Sequence, residues 1–253
     1  MKTALEAGFR GIDTANQRKH YHEAGVGAAL REAYEAGFLT RKDLFLQTKF
    51  THLAGQDHRL PYDKNADPHT QVMQSFASSL EHLNTDCLDS LVLHGPSRRR
   101  GLAEEDWKVW RAMEELYHAG KVKLLGISNV EIDQLQELCE RGDVKPSFVQ
   151  NRCFARDGWD REIRRFCEKN AVRYQGFSLL TANTHIVARP QFTKLVSRYR
   201  CSPAQLIFGF ALQSKMLPLT GTTSPVHMRE HLGAYAINLE ANDMLLIESI
   251  GEE

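Results

Sequence analysis

The chain of 253 residues lacks any excess of charge: 32 lysines and arginines balance 32 aspartates and glutamates. A neutral sum gives no broad field for drawing in nucleic acid or an anionic membrane surface. The densest basic run, Ser97-Arg98-Arg99-Arg100, is short and reads as a solvated loop. No apolar stretch approaches the roughly 18 residues that span a bilayer. The opening MKTALEAGFRG has no apolar core of the kind a signal peptide carries. Cysteine is sparse, five in all and none in a C-x-x-C pair, which argues against a disulfide framework and a thiolate zinc site. His20 and His22 flank Tyr21 without a matching carboxylate or thiolate, so the reading includes no metal. There is no G-x-G-x-x-G fingerprint, and a Rossmann dinucleotide site has no support. No low-complexity linker divides the chain, so residues 1–253 read as one domain; the cytosol is the expected compartment.

What is present is alternation. Short, nearly continuous apolar runs occur at RGIDTA, DLFLQTKF, LDSLVLHG, VKLLGISN, SFVQNRC, VRYQGFSLL and MLPLTGTT, as expected of strands buried on both faces. Helical patterns separate them at 22–37, 68–83, 104–119, 130–141, 158–169 and 202–214. Asp67-Pro68 and Ser202-Pro203 supply an N-cap and a first-turn proline, and Gly120 and Gly142 follow helices as C-caps. Repeated β-α units at this length predict a (β/α) barrel, with a doubly wound open sheet as the alternative. The polar residues Asp13, Lys49, His94, Ser128, Asn129, Gln150 and Ser178, with the TGTT segment, all fall at C-terminal strand ends, the catalytic face of a barrel.

The segments GFRGIDTA, LFLQTKF, LDSLVLHGP, GKVKLLGISN, FVQNR, GFSLL and LPLTGTTSPVHMREHL, in that order and over nearly the whole chain, resemble the aldo-keto reductase superfamily. The resemblance implies an α/β fold, a (β/α)8 TIM barrel of aldo-keto reductase type, of which seven strands are recognisable in this sequence. It also implies reduction of aldehydes or ketones, with NADPH as cofactor and NADH possible. The family's first strand has no counterpart ahead of Gly11, so the resemblance implies an N-terminally incomplete barrel. The long C-terminal loop that shapes the substrate pocket in many relatives has no counterpart either. The remaining expectations are a small-molecule carbonyl substrate, no nucleic acid, no membrane, and a monomer if the chain is complete.

Hydride transfer to a carbonyl builds negative charge on its oxygen, and a proton donor must meet that charge. By resemblance Asp13 anchors Lys49, Lys49 tunes Tyr21, Tyr21 protonates the oxygen, and His94 points a ring nitrogen at it. A lysine about 4 Å from a phenol at an effective dielectric near 20 is worth roughly 4 kcal/mol before desolvation, enough to lower the phenol's pKa. The family motif places its tyrosine five residues after the aspartate, where Arg18 stands here; Tyr21 comes eight residues after Asp13. By resemblance Ser128, Asn129 and Gln150 meet the nicotinamide carboxamide, Phe177 stacks on its ring, and Ser178 lies beside it. The phosphate segment comprises Thr220, Gly221, Thr222, Thr223, His227, Glu230 and His231. Gly221 and His227 stand where NADPH-selective members carry lysine and arginine. A catalytically inactive barrel binding a nucleotide or a protein partner is the alternative function. A Schiff-base role for Lys49 leaves the accompanying aspartate, tyrosine and histidine unexplained.

Overall fold

The computed structural model describes residues 1–252. The chain divides into two compact units, Met1–Phe148 and Val149 onward.

The first unit runs α1 (Lys2–Ala7), β1 (Gly11–Asp13), α2 (Glu23–Glu35), β2 (Phe45–Phe50), α3 (Pro68–Leu83), β3 (Leu88–Leu93), α4 (Glu104–His118), β4 (Val122–Ser128) and α5 (Ile132–Arg141). Its strands are parallel and pair in sequence order, with Ile12 opposite Leu46, Lys49 opposite Val92, and Val92 opposite Gly126. Parallel neighbours need a crossover, and the helices supply it. Leu46, Leu88, Val92, Leu125 and Ile127 are wholly buried, so these strands are core through and through. Asp67 caps α3 through the Thr70 N–H, with Pro68 in the first turn. At Gly27 the helices α2 and α3 touch closely: a Cβ there would stand 1.9 Å from the His82 carbonyl oxygen. Gly120 takes the left-handed conformation just past α4. Gly142 is the C-cap of α5, in extended backbone at φ −69°, with its N–H on the Leu138 carbonyl.

The second unit runs β5, which starts at the boundary (Phe148–Arg152), α6 (Arg161–Lys169), β6 (Arg173–Phe177), α7 (Thr184–Val187), α8 (Pro190–Tyr199), α9 (Pro203–Gln213), β7 (Met216–Pro218), α10 (Pro225–Gly233) and α11 (Ala241–Ser249). β5, β6 and β7 again follow in order, and Tyr174 on β6 lies opposite Met216 on β7. Ser202 caps α9 as expected, accepting from the Gln205 N–H. The helix expected from 158 begins only at Arg161, because Gly158, Trp159 and Asp160 all lie at positive φ. Trp159 is fully buried and donates its indole N–H to the Ile247 carbonyl at 2.8 Å. That tertiary anchor overrides the helical periodicity read from the sequence.

Among the described residues the strands number seven. Among the described residues no helix is long and apolar enough to cross a membrane. All five cysteines are free thiols.

Candidate active site

Strand β1 ends on Asp13 and strand β2 carries Lys49 one position before its end. The register Asp13 opposite Gln47 brings the two side chains together. Lys49 Nζ donates to Asp13 Oδ2 at 2.6 Å and to the Thr14 carbonyl at 2.9 Å. The lysine side chain is wholly buried and the aspartate 20% exposed. A buried ammonium is tolerable only when paired and hydrogen-bonded, and both conditions hold. Burial pulls Lys49 below the ordinary lysine range, with Asp13 pulling the opposite way. Gln47 steadies the carboxylate from the other side, Nε2 donating to Asp13 Oδ1 at 2.7 Å.

Tyr21 reaches this pair despite its altered spacing. A turn over residues 18–20 is closed by the His20 and Tyr21 N–H groups on the Gln17 carbonyl, at 3.2 and 3.0 Å. The extra residues are absorbed there. Lys49 Nζ lies 5.1 Å from the centre of the Tyr21 ring. The His94 ring meets it edge to face, centroids 5.8 Å apart at 72°. The expectation that Lys49 lowers the tyrosine pKa is corrected. Burial first, and the Asp13 carboxylate second, push the Tyr21 phenol up to about 12. The cause is geometric: the ammonium is spent on Asp13 and sits over the ring, so the phenol faces a neutralised pair rather than a free cation.

His94 follows β3. Burial, then the Lys49 ammonium, bring its imidazole down to about 4, so the ring is neutral at physiological pH. Its backbone N–H donates to the Phe50 carbonyl at 2.8 Å, and its carbonyl accepts from Asn129 Nδ2 at 2.8 Å. Thr51 Oγ1 lies 2.7 Å from its Nδ1. Asn129, at φ 52°, also donates to Ser128 Oγ at 3.1 Å. The amide N–H groups of Asn129 therefore hold the protein. Ser128 is wholly buried at the end of β4.

Three polar residues that sequence reasoning missed support this arrangement: Gln47, Thr51 and Glu23. Glu23 opens α2, two residues after Tyr21, and is 2% exposed. Its carboxylate accepts from Thr48 Oγ1, and from Ser79 Oγ at 3.1 and 3.2 Å, and lies 3.1 Å from His82 Nδ1. It thus ties the Tyr21 loop to the residue beside Lys49. The signal was available: Gln47 and Thr48 sit in an otherwise apolar strand, and a buried polar side chain needs a partner.

In the second unit Gln150 on β5 is buried, and its Nε2 donates to Gln175 Oε1 on β6 at 3.0 Å. Phe177 ends β6 half-buried, with the Arg152 guanidinium 5.7 Å from its ring centre. Ser178 follows at φ 57°, a conformation that costs energy outside glycine. Beyond β7, Thr220 Oγ1 lies 2.8 Å from His231 Nδ1. His231 is 9% exposed against the edge of Phe208, so it packs the segment rather than facing out. The His227 ring is exposed, its centroid 6.3 Å from that of His231. Thr222 Oγ1 accepts from the Ser224 N–H, and Ser224 Oγ caps α10 at the His227 N–H. Thr223 is exposed and Glu230 half-buried. Apart from Gly221 itself and its two chain neighbours, no described residue lies within 4 Å of where a Cβ on Gly221 would stand. The fold itself therefore does not demand glycine there, and the open backbone beside a helix N-terminus suits a phosphate. Hydroxyls, an aromatic face and amides divided in this way fit a nicotinamide dinucleotide. Among the described residues no three histidine, cysteine or acidic side chains form a metal cluster.

Asp13, Lys49, Tyr21 and His94 thus form one cluster at the strand ends of the first unit. The chain belongs to the Aldo/keto reductase family, whose model matches residues 1–252. It is 29% identical to the Bacillus subtilis oxidoreductase YtbE, over 100% of this chain and 82% of that protein. It is 26% identical to the glyoxal reductase of Bacillus subtilis, over 100% of this chain and 83% of that one. Among solved structures it superposes on an aldo-keto reductase from a Medee basin deep-sea metagenome library with TM-score 0.84 at 21% identity, covering 99% of this chain and 85% of that one. An aldo-keto reductase solved with NADPH gives TM-score 0.82 at 22% identity, covering 98% of this chain and 76% of that one. The fold is thus the α/β barrel type of this family, represented among the described residues by seven parallel strands.

Proposed function

We propose that the chain reduces the carbonyl of aldehydes or ketones to an alcohol, with NADPH as preferred cofactor and NADH as a weaker one. The observation that carries this reading is the buried Lys49–Asp13 pair, 2.6 Å long, under the ring of Tyr21 with His94 at its edge. When bound, the reduced nicotinamide supplies a hydride to the carbonyl carbon. As that C–H bond forms, the π pair moves onto oxygen, and Tyr21 gives the oxygen its phenolic proton. A phenol held near 12 is fully protonated at neutral pH, so the donor is always loaded. The phenolate left behind faces Lys49, whose pull on it is reduced by the opposing charge of Asp13. Solvent then restores the proton. His94, being neutral, can hold one N–H on the same oxygen without competing for the proton.

Within the first unit Ser128 and the Oδ1 of Asn129 suit a carboxamide; within the second, Gln150 supplies an amide and Phe177 an aromatic face. Thr220, Gly221, Thr222 and Thr223 with the start of α10 would take the phosphates. From Leu219 to His231 the one permanently cationic side chain is Arg229, so selectivity for the extra phosphate of NADPH is weaker than two dedicated cations would give. The test is consumption of NADPH with an aromatic aldehyde, with alcohol formed in equal amount. Binding of NADPH without turnover would overturn the proposal in favour of a nucleotide-binding module.

A further inference from the structure

We propose that Thr51 is a positioning residue for His94: its hydroxyl donates a hydrogen bond to Nδ1 and so directs the Nε2–H at the substrate oxygen. The inference rests on the carbonyl-reductase reading and adds to it a residue outside the cluster of Asp13, Tyr21, Lys49 and His94.

Thr51 directly follows the last residue of β2, two positions beyond Lys49, and is 5% exposed. Its Oγ1 stands 2.7 Å from His94 Nδ1. Its own position is fixed on two sides. The buried Tyr62 donates its hydroxyl to the Thr51 carbonyl at 2.7 Å. The Thr51 methyl lies against Gly55, where an added Cβ would come within 2.7 Å of Cγ2. A β-branched side chain held by its methyl and its carbonyl has little rotational freedom left. The hydroxyl is thereby kept facing the imidazole.

His94 is equally constrained. Its backbone N–H is on Phe50 and its carbonyl on Asn129, so the Nδ1 contact is the third fixed point and sets the ring. A neutral imidazole carries one N–H, and which nitrogen bears it is decided by the partner of the other. If Nδ1 accepts from Thr51, Nε2 bears the proton and can donate to the developing alkoxide. If Nδ1 bore the proton, Nε2 would turn a lone pair on that oxygen and oppose the reaction. Only one of the two arrangements assists hydride transfer.

The closing experiment has two arms on the full chain. The first is the 15N spectrum of histidine-labelled wild-type protein, with His94 assigned by comparison with His94→Asn. A protonated Nε2 and a bare Nδ1 are expected; a protonated Nδ1 would overturn the proposal without reference to activity. The second is steady-state kinetics. Thr51→Val, which keeps the shape and removes the hydroxyl, should lower kcat about five- to tenfold, the loss of one ordinary hydrogen bond. KM and the NADPH dissociation constant should hold, and Thr51→Ser should restore most of kcat. Unchanged turnover in Thr51→Val, or a serine variant no better than valine, would contradict it. A wild-type chain that reduces no carbonyl would defeat the reductase reading and the role given to Thr51 in it. The 15N arm would still decide the hydrogen bond, so the two failures are distinguishable.

Discussion

Replacing Asp13 by alanine should cost stability chiefly through the lysine it leaves behind. Lys49 is fully buried, and its remaining acceptor would be the Thr14 carbonyl at 2.9 Å. Removing one member of a buried pair typically costs about 3–5 kcal/mol. Asp13 is 20% exposed, so water can enter where its carboxylate stood, which places the expectation at the lower end, about 3 kcal/mol. Against a total of about 5–15 kcal/mol that is a large fraction. Adding Lys49→Met removes the stranded charge, and the double variant should recover to within about 1.5 kcal/mol of wild type. The pH dependence has a definite sign. Lys49 is already held below its ordinary pKa by burial, and losing Asp13 lowers it further. Between the folded value and the unfolded one near 10.4 the unfolded chain then binds more protons, so stability rises with pH. The deficit of Asp13→Ala should therefore shrink as pH climbs from the variant's folded value to the wild-type one, by at most about 1.4 kcal/mol per pH unit, and stay level above that. Urea unfolding followed by tryptophan fluorescence at several pH values measures it, with the Lys49→Met background cancelling other groups. A deficit that is constant with pH, or a double variant no more stable than Asp13→Ala, would refute the reasoning.

Gly221→Lys or His227→Arg should shift preference toward NADPH by roughly 10- to 100-fold, the worth of one charge-assisted contact. Titration with both cofactors reads it, and an equal change for NADPH and NADH would place those residues away from the extra phosphate. The reductive kcat/KM should show no inflection from His94 or Tyr21 between about pH 5.5 and 9, because one titrates near 4 and the other near 12. A bell centred near neutrality that disappears in either His94→Asn or Tyr21→Phe would contradict the neutral-imidazole, loaded-phenol arrangement.

The legible part of the molecule was whatever has a period or a cap. The helix expected at 68–83 forms over those residues because Asp67-Pro68 fixes its start and Val72, Phe76 and Leu83 bury one face. Strand β2 was visible as an apolar run, and with it the place of Lys49. The start of α6 was not legible, since what displaces it is a single indole finding the Ile247 carbonyl 88 residues away in sequence. Helix α8 was missed because it buries only Phe192 and Leu195 in a mostly polar sequence. In the site, Asp13, Lys49 and His94 stood at strand ends and drew attention by position. Tyr21 was harder, its spacing altered by the turn that Gln17 closes. Thr51 and Glu23 carry no pattern at all and are found only once the partners they satisfy are in view, whereas Gln47 stood out as a polar residue in an apolar run. The sign of the Tyr21 shift was misjudged for the same reason. Lys49 is not a lone cation, and only the three-dimensional pairing reveals that Asp13 has already claimed it.

The central claim is that Tyr21 is the acid that protonates the reduced carbonyl. Single-turnover reduction of an aromatic aldehyde by the NADPH-loaded chain, wild type beside Tyr21→Phe, tests it directly. The variant removes one phenolic proton and leaves the ring over Lys49. Its rate should fall about 10²–10⁴-fold with the NADPH dissociation constant nearly unchanged. A variant that keeps more than about half of the wild-type rate would show that the proton comes from elsewhere.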